Sequence, residues 1–599
     1  MSVYPRSRDL DRAAHEKFLF VRTAAGDIPV CLVYPNLYRL GMANLGFQAV
    51  YQILDSDPRV AVDRAFLPDS DLRAEQRSRV QPLVSFENGR PLADFEITAF
   101  SISFETDYLN VLSILKMAHI PLRRSDRAGR AFPLVVAGGS AIFLNPEPIA
   151  DFIDLFLIGE GEELIAEFLT VYERDRAAFK GSDQLLKSLA AVEGAYVPAH
   201  YTQSYNLSGS LESVSYIGPN RSPAVSRRYL KDLNRFTTSS RILTSESVFG
   251  DMYLIEASRG CQWGCRFCAA GFMYRPIRYR SPENLLAESK RGLSERNVVG
   301  LVGAEMASVP GIAQIASSVA ERGGRLSPSS MKADCITPAL ASALGRNGAS
   351  SVTVAPEAGS ERMRKVINKN LSEEQIVSAA ELMVGQGAVE NLKCYFMIGL
   401  PEETEHDVLE IARLVERILS RTRAVGKAVG RVTVSLNPFV PKPWTPFQWD
   451  PMEPARTLKH KVAILRRALG KLAPQFGRIE LDAESPREAY FQTLISRGDR
   501  RVGAILERLC LQGREDFAEV WQGLQNIKRE ACEVSPGSPT LPNPDFYVHR
   551  RYHEAERMPW DFIDHHIFKW FLLSERKKAH YEHQTRPCDV TRCVVCGAC

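Results

Sequence analysis

The chain has 599 residues and a formal charge of +4, from 75 Lys and Arg against 71 Asp and Glu. Hydrophobic residues at 45% and charged residues at 24% are the composition of folded protein and exclude a largely disordered chain. So mild a basic excess neither demands nor excludes a nucleic-acid partner. No run approaches the ~18 consecutive apolar residues of a membrane helix. The opening MSVYPRSRDLDRAAHEKFLF is charged throughout and lacks the apolar core of a signal peptide. A cytoplasmic protein with no membrane partner is therefore expected. Twelve cysteines in a reducing compartment argue against a disulfide framework. Seven of them fall in two tight groups, which points to metal or cluster chemistry. The other five (Cys31, Cys335, Cys394, Cys510 and Cys532) are scattered, as small buried apolar residues would be.

In chain order, residues 1–24 form an N-terminal arm and residues 25–175 alternate strand and helix patterns. IPVCLVYP (28–35) is a continuous apolar run, the mark of a strand buried on both faces. NLGFQAVYQILDS follows with Phe47, Val50 and Leu54 at helical spacing, and further strands are expected at 94–104, 133–139 and 154–162. Strands separated by helices predict a doubly wound parallel sheet, whose ligands bind beyond the carboxyl ends of the strands. Those ends read YPN, SFETD, GGS and GEGE. Residues 176–245 break the alternation with a hairpin region and a basic linker, RSPAVSRRYLKDLNRF, that reads as a solvated connection.

Between 246 and 450 six candidate strands return, at 252–258, 298–304, 325–331, 351–357, 392–399 and 431–439. Helical patterns begin between them near Pro282, Pro310, Pro338, Ser360 and Glu403, with proline well placed at a helix start. A partial (β/α)6 barrel is predicted, with chemistry on the loops after its strands. Residues 451–565 read as mainly helical, with Phe491, Leu494, Ile495 and Val502 on one side of the best amphipathic piece. Residues 566–599 are a cysteine-rich tail. The fold class is α/β throughout its first 450 residues.

The strongest motif is ASRGCQWGCRFCAAG, where Cys261, Cys265 and Cys268 are spaced C-x3-C-x2-C directly after the first of the six strands. Three thiolates on one loop can hold three corners of a 4Fe-4S cluster and leave the fourth iron open. Zinc normally completes its tetrahedron with a fourth ligand, and no histidine occurs between His200 and His406. The loop resembles the signature of the radical S-adenosylmethionine (SAM) superfamily, down to the aromatic Phe267 before the last cysteine. Gly303, Ala304 and Glu305 resemble the family's Gly-Gly-Glu-like turn, whose backbone takes the SAM amino group. APEAGSERMRKVINK is similar to the PE-x-GS-x-R segment of the methylthiotransferase-like branch, which implies Glu357 and Ser360 near the ribose and carboxylate of SAM. MIGLPEET resembles that branch's MIGLPGET, with Gly399 at the strand end and Glu402 in place of a glycine. SLNPFVPKPWTPFQW resembles its F-x-P-x-x-x-T-P ending.

The stretch AGGSAIFLNPEPIADFIDLFLIGEGE resembles radical SAM proteins with a cobalamin-binding-like domain. The usual D-x-H-x-x-G loop is absent here: the first loop is YPNLYRLGMANLG, and no histidine lies between His15 and His119. The reading is therefore against cobalamin and for a degenerate domain that shapes the substrate cleft. MYRPIRYR (273–280) interleaves arginines with tyrosines, which an RNA contact would use; a solvated loop with one arginine facing an anionic group is the plainer reading.

The resemblance implies an enzyme that cleaves SAM reductively to a 5′-deoxyadenosyl radical, fed by a reductant such as flavodoxin or ferredoxin. It functionalises a C–H bond of RNA or a small molecule, with methylthiolation as one precedent. A cobalamin-dependent methylase or cyclase is the alternative, and an iron–sulfur scaffold or electron-transfer protein the alternative outside enzymes. In the tail, Cys588, Cys593, Cys596 and Cys599 are spaced C-x4-C-x2-C-x2-C, a ligand set for a second iron–sulfur cluster or zinc.

Overall fold

A computed structural model describes residues 7–23, 26–70, 73, 81–179, 183–220, 222–346, 351–385, 391–424, 429–514, 516–533 and 542–598. Six strands form the N-terminal sheet: β1 (Ile28–Tyr34), β2 (Val60–Phe66), β3 (Ile97–Ser101), β4 (Leu134–Gly138), β5 (Leu155–Leu157) and β6 (Ala195–Tyr196). Their order is β2-β1-β3-β4-β5-β6, parallel except for β6. The chain moves outward from β1 to β2 and then returns to β3, so the order reverses between β1 and β3. A crevice opens at such a reversal.

Helix α1 (Leu45–Ser56) follows β1, entered through Asn44, whose side chain accepts the Phe47 N–H. Helices α2 (Tyr108–Met117) and α3 (Gly161–Phe179) follow β3 and β5. The sequence pattern gives no strand at β2, because Asp63 and Arg64 interrupt its apolar run. Both are buried and partnered, Arg64 with Glu16 and Glu87, and Asp63 with Ser85 and Asn88. Buried charge that is fully paired behaves locally like core.

The second half holds seven parallel strands in two hydrogen-bonded sheets. β7 (Met252–Glu256), β8 (Val298–Val302) and β9 (Arg325–Pro328) form one. β10 (Ser351–Glu357), β11 (Asn391–Ile398), β12 (Arg431–Pro438) and β13 (Arg478–Ala483) form the other. Each of the six expected strands is found. β13 is a seventh, drawn from sequence read as helical: it is a half-exposed edge strand, so no apolar run marks it.

Helices α4 (Pro282–Leu293), α5 (Ile312–Glu321), α6 (Pro338–Arg346), α7 (Glu361–Val366), α8 (Glu373–Gly385) and α9 (Glu405–Ala424) lie between the strands. Ser281 caps α4 by accepting the Asn284 N–H, with Pro282 at the first position.

Beyond β12 come α10 (Ala455–Phe476), α11 (Pro486–Arg497), α12 (Val502–Leu511), α13 (Phe517–Glu533) and α14 (Lys569–His580). Phe491, Leu494, Ile495 and Val502 are all buried, as the amphipathic pattern requires. α12 packs on α2, and one hydrophobic core runs through both halves. The basic linker is docked in part. Val225–Ser226 pairs in parallel with Ile563–Asp564, Arg227 is buried against the Arg275 carbonyl, and Arg228 pairs with Glu167. Lys231 and Arg235 remain exposed, as a solvated connection would have them. Among the described residues, no helix is long and apolar enough to cross a membrane.

Candidate active site

The cysteine loop leaves β7 and is pinned at its base, where Ser258–Arg259 pairs antiparallel with Arg278–Tyr279. Gly260 adopts φ +85°, and a Cβ there would stand 2.6 Å from the Tyr274 carbonyl oxygen. Only glycine fits that turn. Cys261, Cys265 and Cys268 are half-buried on this loop, with the Cys268 N–H donating to the Cys265 carbonyl at 3.1 Å. Burial, with the neighbouring Cys265 charge added, pushes the Cys261 thiol up to about 12. Burial likewise pushes Cys265 up to about 11 and raises Cys268, while nearby Lys369 pulls both back. Three crowded thiols that resist ionising alone are a donor set that a cationic iron–sulfur centre would hold as thiolates. Burial opposes the charge of Lys369, but Glu357 and the Cys265 thiolate raise its pKa and hold the cation beside the loop.

The remaining motif residues stand at the carboxyl ends of the neighbouring strands. Gly303 follows β8 against the cysteine loop: a Cβ there would lie 2.5 Å from Ser258 Oγ. Ala304 is exposed beside it. Glu305 is buried, and its carboxylate accepts the N–H groups of Ala307, Ser308 and Lys332 at 2.8, 3.0 and 3.2 Å, so it builds the loop itself. Glu357 ends β10 in the left-handed region at φ +66° and accepts from Lys369 Nζ at 3.1 Å. Ser360 is buried as the N-cap of α7, accepting the Met363 N–H and donating to Asp407 Oδ1 at 2.6 Å. Its hydroxyl is committed to the cap rather than open to a ligand. Gly399 ends β11 at φ +76° and donates to Glu403. Glu402, standing where the motif has glycine, is itself left-handed at φ +66°, which explains the glycine of the pattern. Phe267 is half-buried and, like Met397, packs against a small apolar cluster that includes Met363 and Phe439.

Several polar atoms at these strand ends are buried without a partner, among them Ser258 Oγ, Trp263 Nε1 and Asn437 Oδ1. Unmet buried donors and acceptors ringing a thiol loop fit a polar ligand such as SAM.

Opposite lies the edge of the N-terminal sheet. A cavity of about 460 Å³ opens there, floored by Leu32, Ala99 and Val136 and covered by α1 and α3. Its mouth carries Ser103, Ser140 and Glu160, and Arg259 and Tyr274 reach it from the cysteine-loop side. Arg259 pairs with Glu160 at 2.9 Å, Glu256 at 2.7 Å and Glu162, joining the GEGE turn to the residue just before Gly260. Lys442, beyond β12, pairs with buried Glu105 at 2.7 Å. Nearby Asp107 is buried with Oδ2 unpartnered, and burial pushes its carboxyl up to about 7. Sequence reasoning missed Arg259, Lys442 and Asp107 as site residues; SFETD at a strand end was the available signal for the last.

The arginines of MYRPIRYR are buried rather than carried on a solvated loop. Arg278 pairs with Glu160 and Arg280 with Glu256, and Arg275 is buried against the Gly271 carbonyl. Arg278 and Arg280 could take a phosphate only by giving up these buried ion pairs.

In the tail Cys588 and Cys593 are half-buried and Cys596 is buried, while Cys599 lies outside the described residues. Among the described residues, no three His, Cys, Asp or Glu side chains converge on one point fit for a single metal ion. Of the scattered cysteines, Cys31, Cys394 and Cys510 are buried and Cys335 is half-buried; the Cys532 side chain lies outside the description.

Two family models match this chain, "Radical SAM proteins, N-terminal" over residues 46–198 and "Radical SAM superfamily" over residues 255–415, together just over half its length. The chain belongs to the radical SAM superfamily. It is 28% identical over 483 residues to the uncharacterized protein MJ0966 of Methanocaldococcus jannaschii, covering 80% of this chain and 90% of that one. Among solved structures it is similar to the cobalamin-dependent S-adenosylmethionine radical enzyme OxsB with aqua-cobalamin and S-adenosylmethionine bound. That match has 14% identity and a TM-score of 0.45, over 92% of this chain and 79% of that one. Methylornithine synthase matches at 16% identity and a TM-score of 0.27, over 42% of this chain and 72% of that one.

This radical SAM protein is an enzyme, and its superfamily implies a 4Fe-4S cluster, SAM and a reductant. The expectation against cobalamin gains no support: the sheet edge holds a cavity rather than a filled core.

Proposed function

We propose that Cys261, Cys265 and Cys268 ligate the cluster and that the chain functionalises a C–H bond of a substrate held against the N-terminal cavity. The carrying observation is the thiol loop at the end of β7, crowded, half-buried and flanked by the Lys369 cation. These three thiolates would hold a 4Fe-4S cluster, which with SAM and one electron from a reductant would supply reductive cleavage of the C–S bond to methionine and a 5′-deoxyadenosyl radical. The protein's part is position. The base ladder at Ser258–Arg259 and the Gly260 turn fix the loop; the exposed backbone at Ala304 and the carboxylate of Glu357 would take SAM, and Phe267 would shield the cluster. Trp263 lies under the Lys332 ammonium at 3.9 Å, which keeps that cation close to the loop. The motifs resembling the methylthiotransferase-like branch support C–H functionalisation over electron transfer alone. Anaerobic loading with iron and sulfide, then SAM and dithionite, should give methionine and 5′-deoxyadenosine in equal amounts. No 5′-deoxyadenosine from cluster-loaded protein would overturn the reading.

The cavity favours one second reading, a cobalamin bound without a protein histidine. Its apolar floor at the β1/β3 reversal is where a doubly wound sheet takes a large ligand. Titration with aqua-cobalamin tests it: retention through gel filtration, lost in Ala99→Leu, supports this reading, and no retention removes it.

A further inference from the structure

The C-terminal tail overlies the cysteine loop. Arg266, wholly buried between Cys265 and Phe267, donates to Glu575 on α14 at 3.2 Å and to the His583 carbonyl at 2.6 Å. The tail then crosses the loop. The Thr585 N–H donates to Asn368 Oδ1 at 2.8 Å, and Asn368 donates to the Gly264 carbonyl at 3.0 Å. The Cys588 N–H donates to the Gln262 carbonyl at 2.8 Å. From there the chain returns to the start of α14, where the Phe568 N–H donates to the Cys596 carbonyl at 2.9 Å. Beside the crossing an open pocket of about 410 Å³ has Trp263 in its wall, together with Lys365, Thr585 and Arg586. Trp263 lies between Cys261 and Cys265 in sequence, so this pocket brings the protein surface to the thiol loop.

What this region turns outward is apolar and cationic. Trp570, Val594 and Val595 are 55%, 71% and 53% exposed, and exposed Phe568 stacks on Trp570 with ring centres 5.9 Å apart. They share one patch, because a Cβ at Gly597, two residues past Val595, would stand 2.8 Å from the Phe568 ring. Single exposed apolar residues are ordinary, but stacked aromatics beside a pair of valines mark a contact surface. Charge rims the patch. Residues 566–599 hold six Lys and Arg against three Asp and Glu, which is three of the chain's four net positive charges. Lys569, Arg576 and Lys578 are paired, with Asp561, Asp450 and Glu575. Arg586 and Arg592 are exposed and, among the described residues, carry no ion pair. Asp589, the one carboxylate between them in sequence, is occupied by its own turn, accepting the Thr591 N–H at 3.0 Å and the Thr591 hydroxyl at 2.6 Å.

We propose that this face docks a small acidic electron-carrier protein, which passes its electron to the cluster through the loop beneath. Carboxylates of the carrier would meet Arg586 and Arg592, and the apolar surround of its redox centre would meet Trp570, Val594 and Val595. One electron leaves the carrier, which is oxidised, and enters the cluster, which is reduced; no bond forms or breaks in the step. Two free arginines are few for a nucleic-acid backbone, whose affinity grows with each phosphate neutralised, and valines give a base nothing to stack on. A protein surface satisfies both the charge and the apolar patch. The inference rests on Cys261, Cys265 and Cys268 holding the cluster, and adds where the electron enters.

The test uses the full-length chain, with an acidic bacterial flavodoxin as the probe. Its binding is measured by titration calorimetry in wild type, in Arg586→Glu/Arg592→Glu and in Trp570→Ser. Between about 0.01 M and about 1 M salt the Debye length falls from about 30 to about 3 Å, and the wild-type Kd should rise at least tenfold. At low salt the arginine variant should bind about tenfold more weakly and Trp570→Ser severalfold more weakly. Reduction of the loaded cluster is then followed by its visible absorbance, once with reduced flavodoxin and once with dithionite, a small reductant that needs no docking face. The ratio of the two rates should fall about tenfold in the arginine variant, and dithionite reduction at the wild-type rate shows that the loop is intact. Because a variant can disturb the tail, the wild-type salt dependence tests the charge without any substitution. Flavodoxin that binds independently of salt, or as tightly after the arginine change, would overturn the proposal, as would a poly(U) RNA that binds this face more tightly than flavodoxin does. 5′-Deoxyadenosine formed with dithionite beside flavodoxin binding indifferent to Arg586 and Arg592 defeats this inference alone; charge-dependent binding without 5′-deoxyadenosine from dithionite defeats only the proposed function.

Discussion

The two halves of the molecule are both parallel sheets covered by helices, yet their carboxyl edges differ in kind. The N-terminal edge ends in glycines and serines around an apolar cavity of about 460 Å³. The edge facing it ends in thiols, a half-buried lysine and polar atoms without partners. Parallel strands pointed the same way make a crevice in each case, and the loop residues alone decide whether it stores or reacts. Arg259 joins the two, being both the base of the thiol loop and the partner of the GEGE carboxylates.

That joint is where the comparison breaks most readily. Arg259→Met leaves Glu162 without its cation while Glu160 and Glu256 keep Arg278 and Arg280, and about 3 kcal/mol of stability should go. Guanidinium chloride unfolding measures it, and a loss under about 1 kcal/mol would show the halves are not coupled there. Asp107 is next. Its folded carboxyl is raised to about 7 by burial, so the ionised form is disfavoured in the native state. Native stability should therefore fall as pH rises from about 4 to about 7, by on the order of 2–4 kcal/mol. Asp107→Asn should fall less steeply over that window, the remainder belonging to Glu403, also pushed up to about 7 by burial, and should be more stable than wild type at pH 8; parallel profiles for the two proteins would contradict the assignment. Ser360→Ala removes a helix cap and should cost about 1–2 kcal/mol while leaving KM for SAM within twofold. A large rise in KM would return the hydroxyl to the SAM site. The smallest effect is Glu402→Gly, which relieves a left-handed residue and should add up to about 1 kcal/mol of thermal stability.

What the sequence makes legible follows from how each feature is built. The first strand of the sheet is a continuous apolar run, and it and the six strands expected in the second half stand where the pattern puts them. β2 and β13 escape it because one buries paired charge and the other is half-exposed. The thiol loop is legible because three cysteines at fixed spacing have few other uses. The arginines at 275–280 mislead because sequence shows charge but not partners: Glu160 lies 118 residues away from Arg278. The cavity has no local signal at all, being made by residues brought together from β1, β3, β4, α1 and α3.

The division of labour between the two edges is tested most directly by one assay on three proteins. Wild type, the triple Cys261→Ala/Cys265→Ala/Cys268→Ala variant and the cavity-filling Ala99→Leu variant are loaded anaerobically and given SAM and dithionite, and 5′-deoxyadenosine is followed. The triple variant should form none while staying folded, and Ala99→Leu should form it within about twofold of wild type, since the added side chain fills the N-terminal cavity and leaves the thiol loop untouched. Turnover that survives the triple variant, or that vanishes equally with Ala99→Leu, would contradict the account.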